Sequence, residues 1–127
     1  MKVLLDTHTF IRWDSAPDQL PAGVLELLQN PATKVLLSVV SVWELGVKRQ
    51  LGKLTSNIPL ARLVLQQQTN GIEILPLTME HVLFVESLPA VHRDPFDRLL
   101  IAQANVENAV VLTSDPVFSK YPVQLKW

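Results

Sequence analysis

Four short apolar runs punctuate the chain, at residues 3–5, 35–37, 72–75 and 110–112, and the stretches between them carry apolar side chains at helical spacing. Runs that are apolar on both faces must be covered on both sides. A parallel sheet held between two helical layers meets that condition, so the expected class is α/β, a three-layer sandwich with a mostly parallel central sheet. The intervening helices are expected at 7–13 (Phe10, Ile11, Trp13), at 21–29 with Pro21 in the first turn, and at 41–50. Another begins near Ile58, carries Leu60, Leu63 and Val64 on one face, and is closed by Asn70-Gly71. The last two are expected at 78–88, capped by Thr78, and at 97–106.

At 127 residues, 48% of them hydrophobic, the chain can build one core without a staple, and no Gly/Ser-rich linker divides it. We therefore expect a single domain over 1–127. Zero cysteines leave only oxygen or imidazole ligands for any metal. The first apolar run stops at Asp6, too soon for a signal peptide, and the longest greasy stretch, 35–43, falls short of the about 20 residues of a membrane span. A cytoplasmic location is the expectation. With 11 Lys plus Arg against 12 Asp plus Glu, no broad basic field attracts nucleic acid, so any such contact must be local.

In an open parallel sheet the ligand crevice lies beyond the carboxyl ends of the strands, where the following helices begin. Asp6 ends the first run and Asp115 follows the fourth; Glu44 is expected in the first turn of the third helix and Asp97 at the start of the last. All four carboxylates should reach one rim. Unneutralised, they would repel and raise one another's pKa values, so a hard divalent cation is implied, magnesium or manganese, with a phosphodiester completing its shell.

Each acid also has a local explanation. In Ser41-Val42-Trp43-Glu44 the serine would cap a helix and Glu44 would reach back to its amide. Asp94-Pro95-Phe96-Asp97 reads as cap, first-turn proline and a carboxylate favoured by the helix dipole. Asp115 before Pro116 suits a turn, and Asp6 before Thr7 the start of a helix. None of these local readings predicts a shared edge.

Leu4-Leu5-Asp6-Thr7-His8, Ser41-Val42-Trp43-Glu44, the run from His92 to Ala104 containing Asp94-Pro95-Phe96-Asp97-Arg98, and Leu112-Thr113-Ser114-Asp115 together resemble PIN-domain nucleases. In particular they resemble the VapC toxins of bacterial and archaeal toxin-antitoxin pairs, in motif order and spacing over essentially the whole chain. The resemblance implies an acidic site of Asp6, Glu44, Asp97 and Asp115, with Thr7 and Ser114 as supporting hydroxyls. It further implies an RNA substrate, a Mg2+ or Mn2+ requirement, a homodimer and a small antitoxin partner. Metal-assisted hydrolysis would then use Asp6 and Asp97 as principal ligands, Asp115 and Glu44 directly or through water, and Arg98 on a phosphate.

His8 and His92 flank the motifs without an evident partner, and His81 is read as a surface residue. Lys48, Arg49 and Lys53 suit either RNA phosphates or an ordinary solvated helix face. Trp13 and Trp43 are read as core rather than as stacking platforms for bases or an antitoxin helix; Trp127 has no assignment. A haloacid-dehalogenase-like phosphatase needs a second aspartate two residues after the first, where this chain has His8, and a receiver domain fails similarly. The remaining alternative is a non-catalytic PIN-like module that binds RNA or protein, against which the complete set of four acids argues.

Overall fold

The computed structural model describes residues 1–54 and 58–127. Among these, β1 (Lys2–Leu5), β2 (Lys34–Ser38), β3 (Glu73–Leu75), β4 (Val110–Leu112) and β5 (Leu125–Lys126) form one sheet in the order β3-β2-β1-β4-β5. Every neighbouring pair is parallel, so the sheet is wholly rather than mostly so. The helices are α1 (Thr7–Ser15), α2 (Ala22–Gln29), α3 (Val39–Gln50), α4 (Leu60–Thr69), α5 (Met79–Phe84) and α6 (Pro95–Glu107).

The alternation of side chains along the strands divides the core in two. Leu4, Leu36 and Val111 point to the layer containing Leu100, Ile101 and Ala104 of α6, while Val3, Leu5, Val35, Leu37 and Leu112 meet Phe10 of α1, Val24 of α2 and Leu63 of α4. Helix α3 serves both layers, with Val40 in one and Leu45 in the other. Leu4 and Leu5 are fully buried, each worth about 1.5–3 kcal/mol. No helix among the described residues is long and apolar enough to cross a membrane.

Several boundaries differ from expectation. Strand β5 was not anticipated: its two residues pair with Val111 and Leu112, too short a segment to show periodicity. Pro21 precedes α2 as its cap residue rather than opening it. Ile72 is buried just outside β3, and the helix capped by Thr78 ends at Phe84, with a 3-10 turn over Val85–Ser87. Helix α6 begins at Pro95, two residues before Asp97, with Asp94 accepting from the Phe96 and Asp97 amides at 2.9 and 3.1 Å.

The largest revision concerns α3. It starts at Val39, and Ser38 rather than Ser41 is its cap, accepting from the Val40 amide at 3.0 Å. Val39 and Val40 are β-branched and suggest strand, yet burial of Val40 and Leu45 overrides that preference. Glu44 therefore sits in the second turn, and the capping box proposed for Ser41 and Glu44 does not form.

His81 is also corrected. Instead of lying on the surface it is buried at 1% exposure, because its ring closes a capping box with Thr78 and reaches across to α6. Its Nδ1 accepts from the Thr78 amide at 3.0 Å, which leaves Nε2 to donate to Glu107 at 2.8 Å. Nothing in the local sequence signals a partner 26 residues away.

Candidate active site

Connections leave β1 toward β2 on one side and return to β4 on the other, so the topological switch lies between β1 and β4. A crevice at the carboxyl ends of those strands is the expected consequence. A cavity of about 280 Å3 opens there, and Asp6, Glu44, Asp97 and Asp115 all line it, together with Thr7, His8, Lys48, Lys53 and Asp94. The four acids arrive from the end of β1, the second turn of α3, the first turn of α6 and the segment after β4.

Asp6 caps α1 and is buried. Its Oδ1 accepts from the Thr9 amide at 2.7 Å and its Oδ2 from the Thr113 hydroxyl at 2.5 Å, while Thr113 Oγ1 also accepts from the Asp115 amide at 3.0 Å. One threonine thus ties the ends of β1 and β4 together at the cavity wall. Asp115 itself is exposed and caps the 3-10 turn Pro116–Lys120 by accepting from the Val117 amide at 3.0 Å.

Glu44 is buried beside Thr7, whose Oγ1 donates to Oε1 at 2.6 Å and lies 3.0 Å from Ser41 Oγ. The other carboxylate oxygen, Oε2, pairs with Lys48 Nζ at 2.8 Å, one helical turn on. Asp97 has His92 Nε2 at 3.4 Å, and His92 Nδ1 in turn lies 2.5 Å from the Tyr121 hydroxyl. Burial, and after it the neighbouring Asp94, pushes the Asp97 carboxyl up from 3.8 to about 6; Glu44 and Asp115 push the same way, and the hydrogen bond from His92 opposes them.

The remaining candidates are placed differently from one another. Thr7 contacts Glu44, whereas Ser114 turns outward and accepts from Arg12 at 3.1 Å. Arg98 donates to the Pro89 and Val85 carbonyls and to the Tyr121 hydroxyl, and it does not line the cavity. The basic trio divides: Lys48 and Lys53 line the cavity, but Arg49 donates to the Ile58 carbonyl at 2.6 Å. His8 is exposed at the cavity wall, and His92, read as lacking a partner, has two. Trp13 packs against the core as expected. Trp43 does not: it is 56% exposed and meets Phe96 edge-on with ring centroids 4.8 Å apart.

Thr113 and Lys48 hold the acids without having been singled out for that role. The Glu44-to-Lys48 spacing announces a helical ion pair, but nothing in Thr113-Ser114 says which hydroxyl turns inward.

The acids offer only oxygen donors, as a hard divalent ion prefers. Among the described residues no three His, Asp or Glu side chains converge closely enough to ligate one ion together.

A family model described as PIN domain matches residues 3–124. No curated protein matches the sequence. Among solved structures, the chain is similar to VapBC2 from Rickettsia felis bound to a DNA fragment from their promoter, with TM-score 0.75, 19% identity, and coverage of 99% of this chain and 98% of that one. DNA-bound VapBC from Salmonella typhimurium gives TM-score 0.71 at 18% identity, covering 99% and 97%. FitAcB from Neisseria gonorrhoeae gives 0.60 at 19% identity, covering 97% and 95%. At these identities the likeness establishes a shared fold.

Proposed function

The chain belongs to the PIN-domain family, whose members are generally nucleases, and on that premise we propose that it is a Mg2+- or Mn2+-dependent ribonuclease hydrolysing RNA phosphodiester bonds. The observation that carries the reading is the meeting of Asp6, Glu44, Asp97 and Asp115 from four distant segments in one cavity, where burial and then the neighbouring carboxylates push the Asp97 carboxyl up to about 6.

Asp6 and Asp97 would hold the ion, with Asp115 and Glu44 reaching its shell through water. When bound, a divalent ion supplies neutralisation of these charges and acidification of a water. The chain's part is positioning: the Thr9 amide and Thr113 hydroxyl fix Asp6, Thr7 fixes one oxygen of Glu44, and the Asp94 cap sets the start of α6 and so the place of Asp97. His8 and Lys53, at the cavity wall, are available to the RNA backbone.

The wider reading is a cytoplasmic toxin acting as a homodimer and restrained by a cognate antitoxin. The VapBC assemblies among the structural neighbours support a partner of that kind. Purified, antitoxin-free protein incubated with a panel of RNAs and Mg2+ or Mn2+ tests the chemistry. Cleavage should fall by about 100-fold or more in Asp6→Asn and in Asp97→Asn; variants as active as wild type would place the activity elsewhere.

A further inference from the structure

Asp6 and Glu44 are both buried carboxylates in the cavity wall, but they are compensated differently. The oxygens of Asp6 are taken by neutral donors, the Thr9 amide and the Thr113 hydroxyl. Glu44 has one neutral donor, Thr7, and a full cation, Lys48, at 2.8 Å. Among the described residues Lys48 is the one Lys or Arg within salt-bridge distance of any of the four acids.

The two halves of this pair differ in freedom. The Glu44 side chain is 6% exposed and held by Thr7, whereas the Lys48 side chain is 26% exposed on a flexible stem. A buried carboxylate stripped of its partner is strongly disfavoured, so departure of Lys48 is costly unless another cation takes its place. The partly exposed ammonium is the half able to move.

We propose that Lys48 is a positioning residue that stands in for a metal ion at Glu44, so that a divalent cation must displace its ammonium to engage that carboxylate. The lysine keeps Glu44 in place in the metal-free protein, and it weakens the apparent metal affinity by the work of its displacement. The inference rests on the metal-dependent reading of the cavity.

Mn2+ titration of the full chain without RNA, followed by the loss of the free-ion paramagnetic resonance signal, reads this directly. Lys48→Met is expected to bind Mn2+ on the order of tenfold more tightly than wild type, and Lys48→Gln should behave alike. Lys53→Met, which removes a charge from the same cavity without touching Glu44, should change affinity far less. In a Glu44→Gln background, Lys48→Met should change nothing. Unchanged or weaker binding in both Lys48 variants overturns the proposal. So does equal tightening in Lys53→Met or in the Glu44→Gln background, since that reports only overall charge. If neither wild type nor any variant binds Mn2+, the metal-dependent reading fails and this inference with it. Binding by wild type with no response at Lys48 sinks the lysine alone.

Discussion

Asp97 ionises at a cost in the metal-free protein, because burial and the carboxylates of Asp94, Glu44 and Asp115 all oppose its charge. Its carboxyl titrates at about 6 in the folded chain against 3.8 ordinarily, so between those values the native state keeps a proton that the unfolded state has lost, and this group's contribution to stability falls as pH rises. The penalty is absent below the lower value and complete above the higher. Asp97→Asn should therefore stabilise the metal-free protein by about 1–3 kcal/mol near pH 7.5, with the gain fading toward pH 4, as urea unfolding in chelator would show. A gain that grew on acidification would contradict the assigned direction. Thr113, by contrast, stabilises the fold through the bonds it makes. Thr113→Val leaves a buried Asp6 oxygen and the Asp115 amide without their partner, and should cost roughly 1–3 kcal/mol while lowering cleavage. At this scale the sequence is unevenly legible: Asp94 announces its cap through the proline that follows it, but the depth of His81 depends on Glu107, which no local pattern connects to it.

The start of α3 shows how an element can be legible while its boundary is not. Helical spacing and the last turn were readable, but two β-branched residues at the junction with β2 displaced the expected cap by three positions. Ser38 Oγ accepts from the Val40 amide and donates to Gln103 at 2.5 Å, whereas among the described residues Ser41 Oγ has only its 3.0 Å contact with Thr7. Ser38→Ala should accordingly cost about 1–2 kcal/mol, more than Ser41→Ala, in a denaturant comparison of the two. Equal losses would contradict the capping role of Ser38. The shift also settles a competition between readings of Glu44. With the helix beginning at Val39, that side chain has no capping work, and its orientation answers to Thr7 and Lys48 instead.

For the whole molecule, the alternation of apolar runs was enough to anticipate the layers and the edge of the sheet at which the acids gather, because parallel strands put all their carboxyl ends on one side. Strand order, by contrast, is decided by long-range packing that no single run encodes. A cation that binds only the native cavity should raise the stability of the entire domain: at about 100 times its dissociation constant the gain is about 2.7 kcal/mol, on the order of 10 °C in thermal midpoint for a domain of this size. Melts with Mn2+ and with chelator measure it, and Asp97→Asn should abolish most of the difference. The placement of β1 has a further effect, one in time. Its strand neighbours are β2, made soon after it, and β4, more than a hundred residues later, and the Thr113 hydroxyl that clasps Asp6 is separated from it by 107 positions. A chain still emerging from the ribosome holds Asp6 with one flank of its strand open and no wall opposite. The four acids are therefore brought together only when synthesis has passed residue 115, and the cavity belongs to the finished chain alone.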